Sequence, residues 1–435
     1  MNNLIKRQPN EDLVFTRFLY AKDEVFLSML TTMLTKRLNE TMFWFAEWIT
    51  SVTIDEASEQ IWKIYYDFYS IKNPKIERYI QRKINSIKKQ SNVIEQRKQF
   101  ANIIKNLLVS EHSCDVFILR QYIQNDPFPT MIYKGRRPKW CKNFDKEYVN
   151  LLISINKRNW YNICFFLNTL HKKASENIHV DETVQRNVID DLHNVIITYF
   201  QSVEEMSINM DFVFKKWADI SYGDKKHLLL AIIVYLLKPE AEINTEKKMF
   251  VSITQKEEDN ISEFSENQSH VDGESDGDNN SDNRPLKPYE KLKIARQYAI
   301  DKSVGCFDLA RFNLSQEYKQ FYHHNWEYFA MRSPYWSEKM TPFDVKTHPE
   351  NLKIRFENDP DDEKYEAFYE KYGYEPDEQP LETQEKSVLD IPEMEYSIWL
   401  ENCFPDTEPI IDVSKNKSEK SDQSDDKDNI LKFVW

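Results

Sequence analysis

The chain has 435 residues, of which only 6 are glycine and 17 are proline, against average usages of roughly 7% and 5%. Aromatic residues make up 14% of the chain, charged residues make up 30%, and the formal net charge is -14. So few glycines cannot supply Gly-rich phosphate loops, dinucleotide-binding fingerprints or many tight hairpins. The composition therefore argues against most nucleotide-binding α/β enzymes and against turn-rich all-β folds, and it favours an all-α fold.

Helical periodicity and capping residues predict helices throughout the first 243 residues. Thr53–Glu56 forms a capping box ahead of a helix that includes Ile61–Tyr69. Asn73 and Pro74 match an N-cap followed by a first helical residue. The breaks between helices indicate stacked helical hairpins, similar to a helical repeat but without a fixed period. The remaining predicted helices are Lys22–Arg37, Glu40–Thr50, 74–90, 92–109, 113–124, 146–156, 158–173, 181–202 and 225–238.

The C-terminal part predicts a smaller, mostly helical domain. Its helices are expected at Tyr289–Lys302, Leu314–Met331 and Asp361–Tyr372, the last with Gly373 as its C-cap. Prolines are frequent after Ser333, so the helices there should be short.

Charge is distributed unevenly and marks the domain boundaries. Residues 1–240 carry 34 basic and 28 acidic side chains, whereas the rest of the chain carries 24 and 44. Residues 255–283 contain ten acidic residues and one basic residue, and few that could form a core, which predicts a disordered acidic linker. The predicted organisation is a helical domain at 1–243, the linker at 244–286, a second domain at 287–403, a polar disordered tail at 404–429 and an apolar terminal segment at 430–435.

The five cysteines are scattered and form no CxxC pair, which predicts a reducing compartment with neither a disulfide framework nor a zinc site. The first residues show no apolar core of a signal peptide. The longest apolar run, Leu228–Leu237, is too short to span a bilayer and predicts a buried helix. We therefore expect an intracellular protein with no membrane partner.

A basic patch is the first candidate binding site. One part is a loop with an aromatic ring among its cations, and the other lies on a predicted helix, where Arg78 and Arg82 share one face. The cations could contact phosphates and Trp140 could stack on an unpaired base. The alternative is a solvated helical face beside a surface loop. The loop residues are Lys134, Arg136, Arg137, Lys139 and Trp140.

Two further clusters have simpler explanations than metal binding. His323 and Glu327 lie one helical turn apart, but no third ligand follows at a recognisable spacing. The carboxylates that begin at Asp359 lack the glycine that a calcium-binding loop requires at its sixth position, so we interpret them as acids at a helix start. Motifs of serine hydrolases, kinases and P-loop proteins are absent from the sequence. We predict no catalytic residue, no metal and no cofactor.

The terminal segment 430–435 is strongly apolar and follows the polar tail. Its Phe433 and Trp435 are typical of interface anchors, so this segment could dock on a partner. Alternatively, it could fold back onto its own chain or fray.

Four stretches resemble helical proteins of giant nucleocytoplasmic DNA viruses, of the mimivirus and phycodnavirus kind. These stretches are Phe18–Val25, 61–80, 323–336 and 370–379. That group has no established activity, so the resemblance implies no catalytic residues; it implies a setting, a viral product in the cytoplasm of an infected eukaryotic cell or in the virion. The absence of catalytic motifs and the abundant aromatic side chains predict a non-enzymatic interaction or scaffold protein whose protein partners bind its helical surfaces. The alternative is a nucleic-acid-associated factor in viral replication or transcription that uses the basic patch within residues 75–142.

Overall fold

The computed structural model describes residues 13–125, 144–176, 190–196, 222–237, 249–258, 325–372 and 396–405. Its secondary structure is mostly helical, which confirms the predicted fold class. The described residues belong to two compact units, and each unit combines segments that are distant in the sequence. The first unit contains 13–58, 79–109, 249–258, 325–372 and 396–405, and the second contains 59–78, 110–125, 144–176, 190–196 and 222–237.

The described helices are numbered here in chain order. The first eight are α1 Lys22–Leu34, α2 Leu38–Ile49, α3 Ile54–Ile64, α4 Ile76–Ile87, α5 Val93–Leu108, α6 Asp115–Asn125, α7 Lys146–Asn156 and α8 Trp160–Glu176. The others are α9 Tyr222–Leu237, α10 Trp326–Met331, α11 Pro334–Met340, α12 Glu363–Tyr372 and α13 Tyr396–Cys403. A π-helical turn follows α3 at Tyr65–Tyr69, and a 3₁₀ turn follows α11 at Thr341–Phe343.

In the first unit, α1 and α2 form a helical hairpin, and α5 packs against both. The core of this hairpin is aromatic: Trp44 and Phe45 are fully buried, and the ring of Trp48 lies 5.9 Å from that of Phe26. Large rings bury much apolar area per residue, so a short hairpin of this composition can build a core. The packed hairpin thereby forms the surface on which α5 lies.

A second core in the same unit joins the start of the chain to its C-terminal part. Phe15 donates its backbone N–H to the carbonyl of Phe329 at 3.2 Å, and the indole N–H of Trp336 donates to the carbonyl of Thr16 at 3.0 Å. Around these bonds lie apolar side chains of 13–21, α10, α11 and α12. Residues more than 300 positions apart therefore share one core.

This second core also contains a β-hairpin that the sequence analysis did not predict. Strand β1, Val345–His348, pairs antiparallel with β2, Lys353–Phe356, with Val345 opposite Phe356. Val345 is buried in the core and Ile354 and Phe356 pack against it, while the side chains of Lys346, Thr347, Lys353 and Arg355 are exposed. Within the described residues this is the only sheet.

The two units differ from the predicted domain boundaries at 243, 286 and 403. The predicted 1–243 domain contributes residues to both units, and part of the predicted 287–403 domain shares a core with residues 13–21. Residues 249–258, assigned from composition to the acidic linker, belong to the first unit as an ordered segment. Composition reports local hydrophobicity and charge, and it carries no information on which distant segments pair. The remainder of the predicted linker, 259–286, and the tail 406–429 lie outside the described residues.

In the second unit, α7 and α8 form another hairpin, and α6 packs on α8, on the π turn and on α9. Phe68 of the π turn stacks on Phe117 of α6 with centroids 5.2 Å apart. The hydroxyl of Tyr235 on α9 donates to the carbonyl of Ser70, just after the π turn. These contacts surround the π turn on two sides and bury its side chains.

The scarcity of glycine is visible in both helical hairpins. Lys36 after α1 and Arg158 after α7 adopt left-handed backbone angles, with φ of 60° and 52°. In each case the residue ends its helix in a Schellman motif, with the next N–H bonding back to the carbonyl of Thr32 or Ser154. Glycine usually occupies this position because it has no Cβ, so each of these residues carries a conformational cost.

Within the described ranges, none of the helices combines the length and the apolar character that crossing a bilayer would require.

Candidate functional site

Helix α5 has one face in the core and a polar stripe on the opposite side. Its N-terminus is capped by Asn92, whose side-chain oxygen accepts the N–H groups of Ile94 and Glu95 at 2.9 and 3.2 Å. The core face carries buried apolar side chains, among them Phe100, Ile103 and Leu107, and the helix packs on α1 and α2. The polar stripe consists of Lys98, Asn102 and Asn106, which are spaced four residues apart, and of Lys105, three residues after Asn102.

Residues 249–258, the docked segment, lie along this stripe. The side-chain amide of Asn106 donates to the carbonyl of Val251 at 2.7 Å, and its oxygen accepts the Val251 N–H at 3.0 Å. One turn earlier on α5, the oxygen of Asn102 accepts the N–H of Ile253 at 2.8 Å. Since Val251 is bonded to residue 106 and Ile253 to residue 102, the docked segment runs antiparallel to α5. The two asparagines contact main-chain atoms of the segment.

Both asparagines are held in place by α5 itself. The Asn102 amide donates to the carbonyl of Lys98 at 3.0 Å, and the Asn106 amide donates to the carbonyl of Asn102 at 2.7 Å. These bonds hold each amide in the orientation in which it contacts the docked segment. A preformed donor and acceptor lose little side-chain entropy on binding.

Two side chains anchor the apolar end of the docked segment. Ile253 is buried, with 8% of its surface exposed. Phe250 stacks on Tyr79 of α4 with centroids 4.1 Å apart and an interplanar angle of 9°. Burial raises the pKa of Tyr79 to about 12, although a hydrogen bond from Asn106 at 3.2 Å acts in the opposite direction. Tyr79 is therefore a neutral ring beneath Phe250 at physiological pH.

The other end of the docked segment is a capped acidic turn. Glu257 accepts the N–H and the hydroxyl of Thr254 at 2.5 and 2.8 Å, and its own N–H donates to that hydroxyl at 3.3 Å. Lys105 binds both Glu257 at 2.7 Å and the carbonyl of Ser252 at 3.0 Å. Lys98 binds Glu258 at 2.6 Å. The polar stripe thus pairs with main-chain groups at one end and carboxylates at the other.

The pKa values of this turn follow from these bonds. Burial alone would raise the pKa of Glu257, but the hydrogen bonds from Lys105 and Thr254 outweigh it and lower the pKa. The hydrogen bond to Glu258 raises the pKa of Lys98. Both shifts favour the charged forms, as expected for opposite charges in contact.

An exposed apolar surface lies at the C-terminal end of α5, where the docked segment begins. Met249 is 87% exposed and Val109 is 54% exposed, while Phe250 and Val251 are each more than a third exposed. We call these four residues the α5 patch. Lys83 lies beside it, with its ammonium 5.9 Å from the centroid of the Tyr79 ring. Clustered exposed apolar side chains of this kind are typical of binding surfaces.

The predicted basic patch is described only in part. Arg78 and Arg82 lie one turn apart on α4 and both are exposed. The loop residues Lys134, Arg136, Arg137, Lys139 and Trp140 lie outside the described residues, as do Phe433 and Trp435 of the predicted docking segment. Both hypotheses therefore remain predictions.

Of the residues that were weighed for metal binding, Glu327 and Asp359 have other contacts. Glu327 accepts the hydroxyl of Tyr369 at 2.6 Å, and burial raises its pKa to about 7. Asp359 accepts the N–H groups of Lys364 and Tyr365 in the first turn of α12, both at 2.9 Å, which confirms its interpretation as an acid at a helix start. His323 lies outside the described ranges, and within them no group of three or more His, Cys, Asp or Glu could hold a metal ion.

The second unit contains a buried ionic cluster that sequence reasoning missed. Arg120 on α6 donates twice to one carboxylate oxygen of Asp67, at 2.8 and 3.1 Å, and His227 on α9 bonds the other at 3.1 Å. Burial alone would raise the pKa of Asp67, but Arg120 and His227 outweigh it and hold the pKa at about 2. The cluster ties the π turn to two helices. The sequence signal for this cluster is Asp67, an acid within the aromatic run 65–69. If that run is buried, the charge of its acid needs a partner.

The docked segment was also missed, although the sequence contains signals for it. Thr254 and Glu257 have the spacing of a capping box, and an apolar run precedes them at 249–253. The acidic residues around this segment predicted a disordered linker, and that prediction was given more weight than the capping box and the apolar run.

No family model, curated protein or solved structure matches the chain. The fold and the site define a mostly helical protein whose first unit holds an extended segment of its own chain beside an exposed apolar surface.

Proposed function

We propose that the protein is a non-enzymatic interaction or scaffold protein that binds protein partners through the α5 patch. The observation that carries this proposal is the exposure of Val109 at the end of α5 and of Met249, Phe250 and Val251 in the segment that docks there through Asn106. We further propose that the protein acts in an infected eukaryotic cell, which is the setting that the resemblance to giant-virus proteins implies.

The energetic argument concerns apolar area. A partner that covers about 200 Å² of apolar surface on this patch gains about 5 kcal/mol at 25 cal/mol per Å². Part of that gain offsets the lost freedom of association, so the patch acts as the anchor of a larger interface.

The patch also needs little ordering before it binds. Val251 is fixed by Asn106 through two hydrogen bonds, and Phe250 is fixed by its stack on Tyr79. Val109 directly follows the last residue of α5, and its N–H bonds back to Lys105. A surface that is already formed loses less entropy on binding than one that must fold first.

The test compares two double variants on the same helix. Val109→Asp with Met249→Asp places two charges on the patch, and Val93→Asp with Ile94→Asp is the matched control at the opposite end of α5, where those residues are 52% and 70% exposed. We expect the patch variant to lose at least one partner in quantitative co-purification from the source cell, and the control to retain it. Equal recovery of every partner by both variants, with unchanged melting temperatures, would contradict the proposal.

The predicted docking residues Phe433 and Trp435 give the same proposal a second test. If the terminal segment docks on a partner, deletion of residues 430–435 weakens the association with at least one co-purified protein. Unchanged recovery of all partners would remove the terminal segment from the proposal.

A nucleic-acid-associated function is the alternative, and the exposure of Arg78 and Arg82 on one face of α4 favours it. It predicts binding that weakens steeply with salt and is lost when Arg136, Arg137 and Lys139 are neutralised. The absence of any gel shift of DNA or RNA at low salt with the full chain would remove this alternative.

A further inference from the structure

The polar stripe of α5 has the geometry of a site for an extended peptide. Asn102 and Asn106 lie four residues apart on a helix, which corresponds to about 6 Å at a rise of 1.5 Å per residue. The residues they bind, Ile253 and Val251, lie two positions apart in extended chain, which corresponds to about 6.6 Å at 3.3 Å per residue. The two repeats match, so one asparagine per helical turn meets every second peptide residue.

The bonds from the asparagines select a main-chain conformation and leave the choice of side chains to their neighbours. The Asn106 amide pairs with both polar groups of Val251, as a neighbouring β-strand would. Lys105 adds a bond to the carbonyl of Ser252. Any extended segment could make these contacts.

Side-chain selection comes from three places around the stripe. The ring of Tyr79 stacks on an aromatic residue, Phe250, and the buried position three residues later holds an aliphatic residue, Ile253. Four residues after that, Lys105 pairs with an acid, Glu257. Lys98 receives the next acid, Glu258. The fitting sequence is therefore aromatic-x-x-aliphatic followed by a turn that ends in two acids.

Resting on the function proposed above, we propose that this stripe is a peptide-binding groove and that residues 249–258 are its built-in occupant. The partner is a protein segment of the same chemistry, which displaces the docked segment. Within that segment Ile253 is the one buried side chain, so the segment is held by few apolar contacts. Local opening of such a segment costs less than global unfolding, and this makes exchange possible.

Displacement would also change the α5 patch. Met249, Phe250 and Val251 belong to the docked segment, so a competing peptide in the groove removes three of the four patch residues from α5. A partner on the patch and a partner in the groove would therefore exclude one another.

The experiment measures binding of a fluorescent peptide with the sequence of residues 249–258 to the full chain by anisotropy. In the wild type the tethered segment competes at an effective concentration in the millimolar range. Ile253→Asp in the chain places a charge at a buried position and releases the tethered segment. We expect the released chain to bind the free peptide at least about tenfold more tightly than the wild type does, because the competitor is gone.

Two further variants separate the groove from nonspecific binding. Adding Asn102→Ala and Asn106→Ala to the released chain should reduce the affinity for the peptide by at least about tenfold, since the main-chain contacts are lost. Asn85→Ala is the matched control, because Asn85 is an exposed asparagine of α4 whose side chain accepts from Gln81 at 3.0 Å. A peptide of the same composition in scrambled order should bind more weakly, because it can keep the main-chain contacts but loses the aromatic, aliphatic and acidic positions.

The proposal is overturned if the released chain binds the peptide no more tightly than the wild type, or if the two asparagine changes leave the affinity unchanged. If the circular dichroism spectrum shows that Ile253→Asp does not fold, replacement of residues 249–253 by Gly-Ser-Gly-Ser-Gly provides the released chain, with the same criteria. Loss of partners by the patch variant together with no peptide binding here would overturn the groove and leave the α5 patch standing. Peptide binding in this assay, together with unchanged partner recovery by the patch variant, would support the groove and overturn the α5 patch as a partner-binding surface.

Discussion

Asn106 and Val251 are separated by 145 positions in the chain, yet a single side-chain amide pairs with both the N–H and the carbonyl of that one residue. The amide is itself held by a carbonyl one turn earlier in its helix. This pairing places part of an acidic region of the sequence on a helical unit, and the α5 patch depends on it.

Asn106→Ala should release the start of the docked segment. It removes two hydrogen bonds to Val251, each with a net contribution of about 1 kcal/mol, so docking should weaken by about 1–3 kcal/mol. Hydrogen exchange at the amides of Val251 and Ile253 should accelerate at least about tenfold. Asn85→Ala should leave both amides unchanged, and unaltered protection at Val251 in Asn106→Ala would contradict the docking of residues 249–258 on α5.

Docking should depend on pH at both ends of the scale. The pKa of Glu257 is lowered in the folded chain, so its contribution is present above its unfolded pKa, roughly 4.3, and is lost as the pH falls through the lower folded value. The pKa of Lys98, which faces Glu258 and Glu95, is raised, so its contribution is present below its unfolded pKa, roughly 10.4, and is lost as the pH rises through the higher folded value.

The NMR chemical shift of the Val251 amide checks this dependence. It should be constant across neutral pH and should move toward its undocked value in acid. Glu257→Gln removes the ionisable group and should abolish the acid-side change. An acid-side change of the same size in Glu257→Gln would assign that change to another group.

Asp67→Asn should destabilise the second unit strongly. It leaves the buried guanidinium of Arg120 without its carboxylate, and breaking a buried pair in this way costs about 3–5 kcal/mol. Urea denaturation measures the loss. Asp55→Asn is the control, because its pair with Lys88 is exposed and should contribute no more than about 1 kcal/mol.

The same cluster should resist acid. Because the folded pKa of Asp67 is about 2 and lies below its unfolded value, its contribution is present above the unfolded pKa of roughly 3.9 and disappears only as the pH falls toward 2. A loss below 1 kcal/mol in Asp67→Asn at neutral pH would show that the cluster does not hold the π turn.

Arg158→Gly should stabilise the protein. Arg158 has a left-handed backbone after α7. A residue with a Cβ destabilises the folded state in this conformation by roughly 1–2 kcal/mol. Glycine avoids that cost, but its greater freedom in the unfolded state offsets about half of the gain. We expect a gain of about 0.5–1 kcal/mol in the free energy of unfolding. Arg158→Ala keeps the Cβ and should show no gain; an equal gain in both variants would assign the effect to the lost charge.

Local features of the fold could be predicted from the sequence because they depend on neighbouring residues. The predicted N-cap role of Thr53 is confirmed by the bond from the Glu56 N–H to its hydroxyl at 3.2 Å, while the carboxylate of Glu56, the other half of the predicted capping box, pairs with Lys22 at 2.8 Å. Helix α4 begins at Ile76, two residues after the predicted Pro74 start, and the Asn73 amide donates instead to carbonyls of Tyr69 and Glu111. Local rules therefore give the start of α4 only approximately, because the tertiary contacts of Asn73 differ from those of an N-cap.

The sequence contains signals for the docked segment, but its pairing with the polar stripe of α5 could not be predicted because it joins distant segments. Nothing in the local sequence of Asn102 or Asn106 distinguishes these residues from solvated asparagines of a helix. Trp336 gives no local signal that its indole bonds to Thr16, 320 positions earlier. In both cases the partner is a main-chain group, and main-chain groups are the same at every position of the sequence.

The most direct test of partner binding is site-specific photo-crosslinking in the source cell. A photoreactive residue at position 109 should yield a discrete crosslinked protein that disappears when Met249→Asp is added, whereas the same residue at position 94 should not yield that protein. The same crosslinked products from positions 109 and 94, unaffected by Met249→Asp, would contradict the assignment of the α5 patch as a binding surface.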